Sequence, residues 1–223
     1  MNKADVISRI ISNGLIPVIR ASSKEEALAV IEAIAAGGIT TIEVTMTVPD
    51  AVELLAEVSK SNSDLLVGAG SVLDPKTARE CVDAGARFIV GPATNVETIR
   101  YCNEQDTVVM PGALTPTEIV AAWNLGADFV KVFPADSLGG AKYLRSIKAP
   151  LPHIRLIPTG GVNRQTAADL ICAGAEAIGV GSDLVDLRAI REGRADEVTA
   201  AAKSYLEIVA RARETGESVA GSR

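Results

Sequence analysis

The chain has 223 residues, 48% of them hydrophobic and 22% charged, with a formal net charge of −6. That length suits one large domain; an α/β barrel commonly takes about 250 residues and as few as ~200. An acidic balance with no basic block speaks against nucleic acid and anionic membrane surfaces as partners.

Residues 1–13 read as an N-terminal helix, and Lys3, Asp5 and Arg9 leave no signal-type apolar region there. A first strand is expected at Leu15–Arg20, followed by an amphipathic helix over Ser22–Gly37 with Ala27, Val30, Ile31 and Ile34 on one face. Further strands are expected at Thr40–Thr45, Leu65–Gly70, Arg87–Pro92, Thr107–Gly112, Asp128–Pro134, Arg155–Gly160 and Ala177–Ser182. Helix starts carry their own chemistry: Ser23 precedes Glu25, Asp74 precedes Pro75, and Thr115 precedes Pro116. Gly37-Gly38, Gly85, Gly126 and Gly174 close helices just before a new strand. Residues 216–223 read as a frayed polar tail. With no linker or shift in composition, the chain is expected to be a single domain over 1–223.

Strands apolar at nearly every position are buried on both faces, and aromatics at 3% make the core aliphatic. About eight strand–helix units predict a (β/α)8 TIM barrel with an extra N-terminal helix. An open doubly wound sheet is the alternative, but no G-x-G-x-x-G opens the first helix. Cys81, Cys102 and Cys172 are widely spaced, each within an expected helix, which argues against a disulfide framework and a structural zinc site. No apolar run approaches a membrane span, and a cytoplasmic protein is expected.

Chemistry in such a fold gathers at the C-terminal ends of the strands. Lys131 interrupts the apolar run Phe129–Phe133, and Glu43 interrupts Thr41–Thr45. Burying an ammonium without a partner disfavours its charged form, and a neutral amine forms Schiff bases with carbonyls. A buried ion pair is the plain alternative, yet amine catalysis needs a carboxylate to move protons in any case. Gly160, Gly161, Gly181 and Ser182 end the last two strands, where backbone N–H groups hold phosphate in many barrels. Arg20, also at a strand end, is a candidate anion clamp. His153 lies in a Pro-rich loop, Trp123 reads as packing, and no cluster has metal-ligand spacing; no metal or cofactor is expected.

The strand-end segments Ile16–Arg20, Thr41–Thr45, Val67–Leu73, Met110–Gly112, Val130–Ala135, Pro158–Val162 and Ile178–Ser182 fall in an order that resembles a known family. It is that of the class I 2-keto-3-deoxy-6-phosphogluconate (KDPG) and 4-hydroxy-2-oxoglutarate (KHG) aldolases. The resemblance runs from about residue 5 to about residue 212. It implies Lys131 as the Schiff-base lysine, Glu43 as the general acid and base, and pyruvate and a phosphorylated keto sugar acid as the small molecules bound. It implies that Ser71, where the family usually has threonine, holds the pyruvate carboxylate. Thr159 would meet the aldehyde hydroxyl, Pro92 and Phe133 would line the pocket, and Gly160, Gly161, Gly181 and Ser182 would cradle the phosphate. Thr47 stands where some members have arginine and others threonine, leaving Arg20 as the cation for either the carboxylate or the phosphate end. The resemblance also implies a homotrimer and a place in the Entner-Doudoroff pathway. The 6-phosphogalactonate epimer or 4-hydroxy-2-oxoglutarate is an alternative substrate. A phosphosugar isomerase or epimerase on the same barrel, using carboxylates without a covalent step, is the alternative chemistry.

Overall fold

The computed structural model describes residues 1–220, with side chains as far as residue 215. Helix α1 (Lys3–Asn13) opens with a capping box: the Asn2 side chain accepts the Asp5 amide and the Asp5 carboxylate accepts the Asn2 amide. Gly14, at φ 65°, ends it and leads into β1 (Leu15–Ile19). Helix α2 (Lys24–Ala36) starts where the Ser23 side chain accepts the Glu26 amide. The chain then alternates through β2 (Thr41–Thr45), α3 (Ala51–Ser61), β3 (Leu66–Gly70), α4 (Pro75–Asp83), β4 (Phe88–Val90), α5 (Val96–Glu104) and β5 (Val108–Met110). Next come β6 (Gly112–Ala113), α6 (Pro116–Asn124), β7 (Val130–Val132) and α7 (Ala141–Lys148). The described chain closes with β8 (Leu156–Pro158), α8 (Ala167–Cys172), β9 (Ile178–Val180), α9 (Leu187–Arg191) and α10 (Ala195–Ala220). The tail expected over 216–223 lies beyond the described side chains. The backbone of α10 continues through Ala220, and 221–223 fall outside the described residues.

All pairings are parallel, as the doubly buried strands require. They divide into a curled six-stranded sheet, β5-β4-β3-β2-β1-β9, and a three-stranded sheet, β6-β7-β8, rather than one sheet of eight. Two local causes account for the difference. Pro111 has no N–H to give, so the single strand expected over Thr107–Gly112 splits into β5 and β6 around it. Strands β8 and β9 are short, and their seam is reduced to one parallel bridge between Thr159 and Gly179. Hydrogen bonds still cross the gap at Pro111, where its carbonyl accepts the Lys131 amide at 2.9 Å and the Val109 carbonyl accepts the Asp128 amide at 3.0 Å.

Every second residue of a strand faces the same side. On the outer faces Ile42, Val44, Val67, Ile89, Val130 and Val180 pack with Val30, Ile34, Leu54, Leu55, Ile119 and Leu144 of the helices. On the inner faces Ile16, Leu66, Phe88, Val108, Phe129, Ile157 and Ala177 form a second cluster with Val6 and Ile10 of α1. Helix α1 therefore seals the end where the strands begin, each buried side chain contributing about 1.5–3 kcal/mol. Two residues further along the same strand faces stand Val18, Gly68, Lys131, Thr159 and Gly179. The parity that builds this apolar layer thus also aims the site residues inward. Among the described residues no helix is long and apolar enough to cross a membrane.

One surface contact has a pH consequence. The Arg191 guanidinium, the Ser22 amide and the Ser22 hydroxyl all donate to the Glu26 carboxylate, tying α9 to the start of α2. The hydrogen bond from Arg191, followed by that from the Ser22 backbone, lowers the Glu26 pKa to about 2. A depressed folded-state value contributes stability above the unfolded value, near 4.3, which is lost as pH falls toward 2. Thermal midpoints measured between pH 6 and pH 2 should show this loss, and Glu26→Gln should remove that share of the pH dependence. A variant as acid-sensitive as wild type would show that the contact is silent.

Candidate active site

Lys131 on β7 and Glu43 on β2 come from strands far apart in sequence and meet inside the fold. The Lys131 Nζ lies 3.6 Å from Glu43 Oε1, and the two side chains are only 5% and 4% exposed. Glu43 Oε1 has no hydrogen-bond partner, and the separation exceeds a hydrogen bond. A buried amine and carboxylate in contact, but not locked together, can exchange protons with a molecule placed between or beside them. The Lys131 Nζ also sits 5.3 Å from the centroid of the Phe133 ring, at the C-terminal side of β7.

Room for the Glu43 carboxylate is made by its neighbours on β3. In the β2–β3 register Glu43 faces Gly68 and Thr45 faces Gly70. A Cβ on Gly70 would overlap Glu43 Oε1, and one on Gly68 would overlap the Phe88 ring. These two glycines are required by space, not by backbone conformation. Ser71, the next residue, is different: its backbone is held at φ 60°, a left-handed conformation uncommon for a residue with a Cβ.

The expected binding residues fall into two groups, each lining its own cavity. Arg20, Phe133, Thr159, Gly160, Gly161, Gly181 and Ser182 line one cleft of about 630 Å³. Among the described residues the amides of Gly161, Ser182 and Asp183 donate to no other group of the protein. With Arg20 at the rim, free N–H groups in a concave wall have the chemistry that suits an anion. Thr47, Ser71 and Pro92 instead line a smaller hollow of about 340 Å³ with Met46 and Asp74. Thr45 Oγ1 gives its hydrogen to the Ile19 carbonyl at 2.9 Å, so Thr47 must be the donor in the 2.7 Å contact between the two threonines. The Thr47 proton is thereby committed, which leaves Ser71 as the hydroxyl donor of this hollow. Arg20 stands with the glycine amides, apart from Thr47 and Ser71.

The larger cleft also takes in Asn163 and Asp183, which sequence reasoning passed over. Asp183 follows Ser182 directly, so adjacency to a glycine-rich strand end was a usable signal. The packing constraint at Gly70 had no such signal. His153, expected as a loop residue, lies outside all strands and helices and makes an edge contact with Trp123, ring centroids 6.2 Å apart.

Comparison with known proteins identifies the family. Residues 6–201 match the family described as "KDPG and KHG aldolase". The chain is 33% identical over 195 residues to the 2-dehydro-3-deoxy-phosphogluconate aldolase of Treponema pallidum, covering 87% of this chain and 93% of that one. It is 32% identical over 197 residues to the 2-dehydro-3-deoxy-6-phosphogalactonate aldolase of Escherichia coli, covering 87% and 96%. A crystal structure of the Legionella pneumophila KDPG aldolase, with pyruvate captured as a covalent carbinolamine, superposes with a TM-score of 0.83 at 30% identity, covering 90% and 97%.

Proposed function

The chain belongs to the KDPG and KHG aldolase family, and from that premise we propose that it cleaves 2-keto-3-deoxy-6-phosphogluconate to pyruvate and glyceraldehyde 3-phosphate through a Schiff base on Lys131. As an aldolase it is a carbon–carbon lyase. The observation that carries the rest is the Lys131–Glu43 pair, an amine and a carboxylate buried side by side inside the fold.

The chemistry follows from the groups present. The neutral Lys131 amine adds to the C2 ketone, and the carbinolamine loses water to give an iminium ion. The Glu43 carboxylate, directly or through a water, takes the proton from the C4 hydroxyl. The C3–C4 bond breaks, its electrons flow into the iminium to form an enamine, and the aldehyde leaves. Glu43, now protonated, returns a proton to C3, and hydrolysis frees pyruvate and the amine. The carbinolamine captured in the Legionella relative supports the first step, since it needs an amine on the enzyme.

In this reading Ser71 donates to the pyruvate carboxylate, with Thr47 and Pro92 shaping that hollow. Phe133 covers the reacting carbons, and Thr159 faces the hydroxyl of the departing aldehyde. Gly160, Gly161, Gly181 and Ser182 receive the phosphate, and Arg20, which lines their cleft, serves the phosphate end. The two parallel sheets are read as one (β/α)8 barrel within a single domain; the hydrogen bonds from Asp128 and Lys131 across the Pro111 break and the Thr159–Gly179 bridge support this. A homotrimeric, cytoplasmic enzyme of the Entner-Doudoroff pathway completes the proposal. The free thiols of Cys81, Cys102 and Cys172 suit that reducing compartment.

Borohydride reduction in the presence of pyruvate should leave a stable adduct on Lys131, located by peptide mass. An unmodified Lys131 under conditions that trap a known class I aldolase would end this proposal. The E. coli relative makes the 6-phosphogalactonate epimer the second reading, and kcat/KM for the two epimers decides between them. An epimerase working through carboxylates without a covalent step would need a second carboxylate or a metal facing Glu43, whereas Lys131 is the group that faces it.

A further inference from the structure

A carboxylate lines the cleft assigned to phosphate. Asp183 follows Ser182 at the C-terminal side of β9, and its side chain is 31% exposed. Left free to rotate, that negative charge would face an incoming dianion at close range, where like charges repel strongly. Two groups hold it. The hydroxyl of Tyr205, a wholly buried residue of α10, donates to Asp183 Oδ2 at 2.6 Å. The Arg164 guanidinium, after β8, lies 3.5 Å from the same oxygen.

We infer that Tyr205 is a positioning residue for the phosphate subsite: it anchors the Asp183 carboxylate away from the anion and so fixes the Gly181–Asp183 turn. The turn has few other restraints. The amides of Leu184 and Val185 both donate to the Gly181 carbonyl, at 3.0 and 2.9 Å, while those of Ser182 and Asp183 remain available to a ligand. Charge-assisted hydrogen bonds to an anchored carboxylate are among the stronger ties a loop can have. Burial and the bond to Asp183 both hold the Tyr205 hydroxyl in its protonated, donating form. Helix α10 also packs on α2 and α8, so the anchor ties the turn to the outer helical layer.

The inference rests on the reading of the cleft as a phosphate site, and the experiment separates the two. Tyr205→Phe keeps the ring and removes only the donor. Its KM for the phosphorylated keto acid should rise about tenfold, the size expected for one lost hydrogen bond to a charged group. Its kcat and its rate of pyruvate trapping on Lys131 should stay within about twofold of wild type, and inorganic phosphate should inhibit it correspondingly less. Adding Asp183→Asn to this variant should lower the KM again, because it removes the loose charge. A KM unchanged by Tyr205→Phe would overturn the inference. So would an equal rise for the unphosphorylated 4-hydroxy-2-oxoglutarate, which would mark a general structural role. If wild-type enzyme is neither inhibited by phosphate nor selective for the phosphorylated acid, the phosphate reading fails together with the inference.

Discussion

Lys131→Met is expected to lower kcat/KM by roughly 10⁴–10⁶-fold, since nothing else in the site can supply a covalent amine. Methionine matches the lysine stem in length and remains at home in a buried position, so lost packing does not confuse the result. The substitution has a second expected effect, on stability. It leaves the Glu43 carboxylate, 4% exposed and already without a hydrogen-bond partner, facing no cation. Breaking a buried pair from one side destabilises a protein by about 3–5 kcal/mol. Urea denaturation should show that loss for Lys131→Met and should show most of it recovered in Lys131→Met/Glu43→Gln. Activity should not recover. If Lys131→Met unfolds no more readily than wild type, the pair is not an electrostatic unit. If it still cleaves substrate at an appreciable rate, the lysine is not the nucleophile.

The second large effect is at Glu43. Glu43→Gln keeps the size of the side chain and removes its capacity to take a proton, and a drop in kcat of about 10²–10⁴-fold is expected. Pyruvate should still become trapped on Lys131, more slowly, because the amine remains. That split separates a proton-transfer role from a mere counter-ion role. A kcat close to wild type would leave Glu43 as the bland ion-pair partner. Gly70→Ala should reproduce the defect without touching the substrate, because its methyl group would occupy the place of Glu43 Oε1.

Much of this site was legible in the sequence. Charged residues at Glu43 and Lys131, inside strands otherwise apolar, are energetically conspicuous in a linear reading. The burial of both side chains and their contact follow from the parity that also places Phe129 and Leu66 inside. Strand boundaries at Leu15 and Thr45 agree closely with expectation, and Gly14, which ends α1, marks the first of them. The split at Pro111 had a visible cause, yet the apolar run on both sides hides it. The relations that escaped a linear reading are distances between side chains. Nothing about Gly70 says that its missing Cβ is the volume into which a glutamate from another strand fits. Nothing about Tyr205, in the middle of an amphipathic helix, says that its hydroxyl ends at Asp183. Arg20 was open between two substrate ends, because a strand end specifies a rim but not which part of it.

Ser71 carries a last consequence. Its backbone sits at φ 60°, a conformation that costs a residue with a Cβ about 1–2 kcal/mol and a glycine almost nothing. A glycine there would relieve the strain and delete the hydroxyl in the same step. With Ser71 in its proposed role at the pyruvate carboxylate, the chain cannot be made more robust at this point without surrendering a grip on its substrate. Stability engineering of this enzyme has to begin elsewhere, and any selection for heat resistance that settles on Ser71→Gly should be expected to return a sturdier protein that binds pyruvate poorly.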